Sequence, residues 1–324
     1  MQGPWSIVLA GGEGRRLREL TTTTSGVTVP KQFCSLAGGP SLLADTVRRA
    51  RDISELERIL VIVTASHRDF WREELRELPA QNVIVQPESR GTAAGILLPL
   101  MHVLERDPLG EILVMPSDHH VCDEGVLRRA FVSALEAVRV QPRDIALLGM
   151  AAEHADTQYG WIVPAGRARG AAAHAPRRIA LFVEKPPAET AERLLLRGGL
   201  WSSFVFASRA LGLFSAFSDA QPELVSAFCD ALPGLLAGGA DSPALRHLYH
   251  GLTPRDFSRD VMERATDRLC VVSVPPCGWS DLGTPDRVAS ALGLGRERGR
   301  APARAPAART RRPVLALALE SLAH

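Results

Sequence analysis

Short apolar runs recur along the first half of the chain. They alternate with longer stretches in which apolar residues return every three or four positions. Ser6–Ala10, Ile59–Val63, Val83–Val85, Ile112–Met115 and Ile145–Leu148 predict short buried strands. Between them, Ser41–Arg51, Asp69–Leu78, Thr92–Arg106 and Glu124–Arg139 predict amphipathic helices. Strand–helix alternation of this kind predicts an α/β fold, a mainly parallel sheet with helices on both faces. Ligands in such sheets bind beyond the carboxyl ends of the strands.

The second half is less regular. Trp161–Val163, Ile179–Val183, Phe204–Ala207 and Leu269–Val274 predict strands; Pro187–Leu196, Ala210–Phe217, Pro222–Leu236 and Ser258–Thr266 predict helices. This half is expected to extend the sheet and build a lid or acceptor pocket. From about Gly293 the composition turns to Ala, Arg and Pro, so residues 1–292 read as the folded domain and 293–324 as a disordered tail. Val314–Ala323 could form a short apolar helix within that tail.

Composition narrows the function classes. The chain has 324 residues, is 46% hydrophobic and carries a formal net charge of +2, too little to argue for nucleic-acid binding. No apolar run approaches the ~18 residues of a membrane span. The start lacks the basic and apolar regions of a signal peptide, so a cytoplasmic protein is expected. Five irregularly spaced cysteines without a C-x-x-C pair read as reduced thiols. His119, His120, Cys122 and Asp123 are close in sequence, but no second cluster would complete a transition-metal site. Of 38 basic residues only Lys31 and Lys185 are lysine. A chain that otherwise uses arginine keeps a compact ammonium at two places.

Candidate chemistry begins directly after the first strand, at Leu9-Ala10-Gly11-Gly12-Glu13-Gly14-Arg15-Arg16-Leu17. Gly11, Gly12 and Gly14 would let backbone N–H groups approach a phosphate, and Arg15 could bind its oxygens. Leu17 stands where a Rossmann fingerprint needs glycine, and no Gly-Lys-Ser/Thr of a Walker loop is present. Pro30-Lys31-Gln32-Phe33 follows a polar loop, Thr21–Val29, expected to stay mobile until substrate binds. Lys31 could neutralise charge on a triphosphate. Asp118 and Asp281 each follow an apolar strand. Each could instead cap a nearby helix, but two carboxylates completed by phosphate oxygens and waters would suit Mg²⁺.

These motifs, taken in order, resemble the sugar-phosphate nucleotidyltransferases, most closely the mannose-1-phosphate guanylyltransferase branch. The resemblance runs from Ala10–Leu17 and Pro30–Phe33 through Gln86–Ala93, Met115–His119, Tyr159–Ile162, Phe182–Pro186 and Phe257–Glu263 to Gly278–Thr284. It implies a glycosyltransferase-A-like (nucleotide-diphospho-sugar transferase) fold, a mixed sheet sandwiched by helices. It further implies a Mg²⁺-dependent enzyme joining a nucleoside triphosphate to a sugar 1-phosphate, GTP and mannose 1-phosphate first. UTP or dTTP with glucose 1-phosphate, or a catalytically silent regulatory homologue, are the alternatives. Arg15, Lys31, Asp118 and Lys185 are the implied catalytic residues, with Asp118 and Asp281 on the metal. Gly11, Gly12, Gly14, Gln86, Arg90, Gly91 and Thr92 would hold the nucleotide; Tyr159, Gly160, Glu184, Lys185 and Ser202 the sugar phosphate. The resemblance leaves a homodimer open and implies neither nucleic-acid nor membrane partners. A second, isomerase activity is not expected, because the resemblance stops near residue 290. Two segments depart: in the first loop Arg16 stands where a threonine is common and Thr21–Val29 is longer than usual, and where the family carries Asn-Ser-Gly the chain reads Ser202-Ser203-Phe204. A serine hydroxyl cannot make both amide hydrogen bonds of asparagine.

Overall fold

The computed structural model describes residues 3–23, 25–166, 175–238, 242–293 and 314–315. Nine strands form one sheet: β1 (Trp5–Leu9), β2 (Ile59–Thr64), β3 (Val83–Gln86), β4 (Glu111–Pro116), β5 (Ile145–Ala151), β6 (Gly160–Pro164), β7 (Arg177–Glu184), β8 (Leu200–Arg209) and β9 (Leu269–Val274). Their order is β3-β2-β1-β4-β8-β5-β9-β7-β6, with an additional β8–β6 pairing. β1 pairs in parallel with β2 and β4, and β2 with β3. β8 runs antiparallel to both β4 and β5, and β7 antiparallel to β6 and β9. The sheet is therefore mixed: parallel at the N-terminal end, largely antiparallel beyond β8.

Period-2 alternation decides which core each strand residue joins. On β2, Ile59, Val61 and Val63 face one hydrophobic cluster, and Leu60 and Ile62 the other. The first cluster is covered by α2 (Leu42–Arg51), α3 (Arg68–Glu74), α5 (Glu124–Val140), α6 (Ala188–Leu196) and α11 (Pro285–Ala291). The second lies under α4 (Gly91–Arg106), α7 (Ala210–Ala220), α8 (Pro222–Gly238), α9 (Pro243–Gly251) and the single turn α10 (Phe257–Asp260). The one-turn α1 (Arg18–Thr21) follows the glycine-rich segment. The result is the helix–sheet–helix sandwich expected from the pattern. α5 shows the local logic: Leu127, Phe131, Ala134, Leu135 and Val138 are buried on one side, and the Asp123 carboxylate accepts from Val126 N at 3.0 Å. Such a cap contributes about 1 kcal/mol.

Several boundaries differ from expectation. The helix expected over Asp69–Leu78 ends at Glu74, where a turn returns Leu75 and Leu78 to the core. Ser258–Thr266 is not one helix: α10 stops at Asp260 and two 3₁₀ turns follow, Met262–Arg264 and Thr266–Arg268. Helix α9, with Ser242 as its cap, has no counterpart among the expected elements. The loop Thr21–Val29 closes on itself through a Thr22–Thr28 bridge. Of the expected tail helix only Val314 and Leu315 are described; Val314 pairs with Ser35 and Leu315 is buried, and the rest of that segment lies outside the described residues. Among the described residues no helix is long and apolar enough to cross a membrane.

Candidate active site

The carboxyl ends of β1, β2, β3 and β4, together with β6, β7 and β8, surround one cleft of about 330 Å³. Gly11, Gly12 and Gly14 line it directly after β1. At Gly14 φ is +61°, and an added Cβ would lie 2.9 Å from Lys31 N. Glycine is therefore required both by conformation and by the approach of the Lys31 segment. Gln32 holds the turn open: its Nε2 donates to Ala10 O at 2.9 Å and Gly12 O at 2.8 Å. Arg15 opens the 3₁₀ turn Arg15–Leu17, and its side chain lies outside the described residues.

Lys31 is the centre of the arrangement. Its side chain is 5% exposed, and Nζ donates to Asp118 Oδ2 at 2.8 Å. The same ammonium donates to the backbone carbonyl of Asp281. One cation thus joins Asp118, two residues beyond β4, to a segment far along the chain. Neither carboxylate serves as the cap of the helix that follows it: α5 is capped by Asp123 and α11 by Thr284. Burial, the largest single influence, raises the Asp118 carboxyl, but Lys31, His119 and Arg16 together outweigh it, and the net pKa lies below the usual carboxylate value. Asp281 behaves alike: burial raises it, and His119, Arg287 and Lys31 together bring it below its usual value.

Asp281 is held tightly. Its Oδ1 accepts from Tyr159 Oη at 3.0 Å, Arg287 at 2.8 Å and Gly283 N at 2.9 Å. Arg287 also pairs with Asp156, and its guanidinium lies 4.1 Å from the Tyr159 ring centroid. Sequence reasoning missed Arg287; its one signal is a basic residue one to two helical turns beyond Asp281. It also missed His119 as a support rather than a ligand. Trp279 Nε1 donates to His119 Nδ1 at 3.3 Å, which leaves Nε2 as the protonated nitrogen, 3.7 Å from Asp118 Oδ1. Tyr159 thereby serves Asp281 as well as lining the cleft.

The expected nucleotide-binding residues separate into two groups. Gly91 and Thr92 open α4 at the cleft. Gly91 has φ +84°, and a Cβ there would meet Arg255 O at 2.2 Å. Gln86 lines the cleft but is 3% exposed; its Nε2 donates to Thr64 Oγ1 at 3.1 Å, and Tyr249 Oη donates to its Oε1 at 3.4 Å. Thr92 Oγ1 accepts from Phe257 N at 2.7 Å. Arg90 is not among the residues lining the cleft: its guanidinium donates to Tyr249 O and Glu88.

On the opposite side, Gly160, Glu184, Lys185 and Ser202 face the cleft together. Lys185 Nζ is 3.0 Å from Glu184 Oε1, with side-chain exposures of 48% and 9%. Burial pushes the Glu184 carboxyl up, with Lys185 only partly countering it. At Gly160 an added Cβ would lie 2.6 Å from Glu184 Oε2 and 3.2 Å from Ser202 Cβ, so the Glu184 carboxylate would have to shift. Ser202 and Phe204 sit at an irregularity of β8. Leu147 pairs with Phe206 and Gly149 with Ser202, so Leu148 alone faces Ser203–Val205. This is a β-bulge, which turns backbone toward the cleft. Phe204 carries it with φ +60°.

As to a metal, no group of three or more His, Cys, Asp or Glu side chains among the described residues is placed to hold one. Asp118 and Asp281 line the cleft with carboxylate oxygens, the donor type that a hard divalent cation takes.

A three-layer mixed sheet with a glycine-rich turn, a buried lysine and two carboxylates at one cleft defines a nucleotide-diphospho-sugar transferase fold. The chain belongs to the nucleotidyl transferase family, whose model matches residues 5–293. It is 31% identical over 293 residues to the mannose-1-phosphate guanylyltransferase of Escherichia coli (strain K12), covering 86% of this chain and 58% of that protein. It is 29% identical over 280 residues to the alginate biosynthesis protein AlgA of Pseudomonas syringae pv. tomato, covering 86% of this chain and 56% of that one. The chain thus spans a little more than half the length of these curated relatives. Among solved structures, a protein described as mannose-1-phosphate geranyltransferase from Thermus thermophilus superposes with TM-score 0.73 at 29% identity, covering 89% of this chain and 78% of that one. A UDP-glucose pyrophosphorylase complexed with UDP-glucose shares the fold at TM-score 0.54 and 13% identity, covering 91% and 98%.

Proposed function

We propose that this chain is a nucleotidyltransferase that condenses a sugar 1-phosphate with a nucleoside triphosphate, and that GTP and mannose 1-phosphate are the first pair to test. The observation that carries this reading is the Lys31 ammonium, buried behind the cleft wall that Asp118 and Asp281 line and bonded to both Asp118 and the Asp281 backbone. The named relatives at about 30% identity support the choice of substrates.

In this reading the triphosphate lies along the Gly11–Gly14 turn, and its base lies toward Gln86, Gly91 and Thr92. The acceptor phosphate approaches from the Lys185 side. An acceptor phosphate oxygen forms a new bond to the α-phosphorus while the α–β bridging bond breaks, and pyrophosphate leaves with the electron pair. No general base is needed, because the attacking oxygen is already ionised. Lys31 and Lys185 offset repulsion between the two anions and hold them in line. Asp118 and Asp281 would hold Mg²⁺, which when bound neutralises phosphate charge. His119, Arg287 and Tyr159 keep the two carboxylates fixed. The Glu184 carboxylate and the Ser202 hydroxyl are the groups available to sugar hydroxyls. The reaction is assigned to the cytoplasm.

The test is a pyrophosphate-release panel of nucleoside triphosphates against sugar 1-phosphates, with and without Mg²⁺. The expected result is Mg²⁺-dependent release with at least one pair and none without an acceptor. Tight nucleotide-sugar binding with no release from any pair would support a regulatory homologue instead.

A further inference from the structure

Among the described residues, positive φ at a non-glycine residue occurs only at Lys185, Phe204 and Leu282. Phe204 differs from the other two in its packing. Lys185 is anchored through Glu184, and Leu282 is fully buried. Phe204 is half-buried, sits at the crest of the β8 bulge and lines the cleft.

A bulge residue in the left-handed region is the place where glycine costs least. The chain puts a large aromatic there instead. The bulge does not need the ring for its own bonding. Ser203 Oγ donates to Leu148 O at 2.9 Å, Val205 N donates to Ser203 Oγ at 3.2 Å, and Phe204 N lies 3.4 Å from Ser202 Oγ. Two serine hydroxyls therefore replace the lost ladder bonds, whatever the side chain at 204. One edge of the ring packs in edge-on contact with Phe206 and Phe257, centroids 6.5 and 6.1 Å away. The remaining surface is turned to the cleft that Gly160, Glu184, Lys185 and Ser202 share. Packing against the second core cluster takes up only part of the ring, so strain kept here points to a use for the part that lines the cleft.

We propose that Phe204 is a specificity-determining residue. Its ring forms an apolar wall on the acceptor side and favours a sugar 1-phosphate that presents a C–H or deoxygenated edge there. A hydroxyl held against the ring would lose its water partner and gain none. Ser202 offers one short hydroxyl and does not replace what the ring removes. The proposal rests on the acceptor lying on the Lys185 side, as in the proposed function.

The test is equilibrium binding, which needs no turnover. Mannose 1-phosphate and its 2-, 3-, 4- and 6-deoxy analogues are titrated calorimetrically, with Mg²⁺ and a non-hydrolysable GTP analogue, into the wild type, Phe204→Gly and Phe204→Tyr. The expected result is that Phe204→Gly shifts the ratio of mannose 1-phosphate to best-deoxy-analogue affinity toward the hydroxylated sugar by about tenfold. Phe204→Tyr, which keeps the ring, should keep the wild-type ranking of analogues, and affinity for the GTP analogue should stay unchanged in both. If Phe204→Gly does not fold, as judged by circular dichroism, Phe204→Asn carries the test, since asparagine tolerates the left-handed region. An unchanged ranking in the glycine or asparagine variant overturns the proposal. A failed pyrophosphate panel with a shifted ranking would overturn the catalytic reading and leave this one standing.

Discussion

The two ends of the cleft differ in what they place at strained backbone positions. In the β1–β4 half every positive φ among the described residues falls on glycine: Gly14, Gly26, Gly38 and Gly91. The second half also uses glycine, at Gly166, Gly198, Gly278 and Gly293, but there Lys185, Phe204 and Leu282 adopt positive φ with side chains attached as well, at a cost of about 1–2 kcal/mol each. The contrast follows from what each end must recognise. A triphosphate is bound largely by backbone N–H groups, and glycine lets the backbone come close. A sugar is bound by side chains, and those must be aimed from particular backbone points even where the backbone resists. Comparison of the two ends therefore predicts where mutations will cost stability and where they will cost only substrate choice.

The largest effect is expected at the shared centre. Lys31→Met keeps most of the buried volume and removes the ammonium that joins Asp118 to Asp281. Pyrophosphate release should fall by about 10²–10³ in kcat, the range seen when one preorganised electrostatic group is lost. The melting temperature should move far less, because Asp118 is 39% exposed and can turn to water. Near-wild-type turnover would break the idea that both ends depend on one cation.

Next comes Gly91→Ala, in the glycine-relieved half. Here φ is +84° and the new Cβ would lie 2.2 Å from Arg255 O, a backbone atom that cannot swing away. Chemical denaturation should show a loss of at least about 2 kcal/mol, together with weaker nucleotide binding, since Gly91 opens α4 at the cleft. A neutral alanine would mean that strain is not what glycine relieves at this end.

The acceptor end is sharpened by a pair, Lys185→Ala and Lys185→Gly. Both remove the ammonium that faces the cleft beside Glu184, so both should raise the KM for the sugar 1-phosphate at least about tenfold while leaving the KM for the nucleotide unchanged. They differ only in how well they tolerate φ +48°. The glycine variant should be the more stable of the two by about 1 kcal/mol. Equal stability would remove Lys185 from the set of strained positions.

The same contrast explains what the sequence disclosed. The strands of the first half are continuous apolar runs, and their glycine turns are local, so Ser6–Ala10 and Gly11–Gly14 are readable from neighbours alone. The pairing of Lys31 with residues 118 and 281 is not local; only the ordered resemblance linked those segments. The β8 bulge is invisible to periodicity, because a bulge breaks the alternation that would reveal it, and the strand therefore reads as Phe204–Ala207 rather than Leu200–Arg209. Gln86 and Arg90 show the limit of a motif. Their identities fit a nucleotide contact, yet Tyr249, on a helix that the pattern missed, takes up part of both. Arg287 escaped for a similar reason. Its value lies in Asp281 and Asp156, and no spacing rule joins three residues on two segments 131 residues apart.

The smallest effect tests the helix on which the nucleotide end rests. His102 lies within α4, and burial, aided by Arg106, pulls its imidazole down to about 4 from its ordinary value of 6.5. In the unfolded chain the ring protonates near that ordinary value; in the folded one it stays neutral. Between the two values the unfolded state therefore binds the extra proton, and stability rises with pH. The contribution is complete well above pH 6.5 and is lost as pH falls toward 4. From about pH 7.5 to about pH 6 the loss should be about 0.8 kcal/mol, seen as a lower urea midpoint with unchanged slope. His102→Gln should remove this share of the slope, leaving the part that His67, His119 and His120, also lowered by burial, contribute. Lys185→Gly, at the other end, should leave the whole slope intact, because it removes no imidazole. If the slope is as steep in His102→Gln as in the wild type, the proton enters only elsewhere and α4 is not a pH-sensitive support of the nucleotide end.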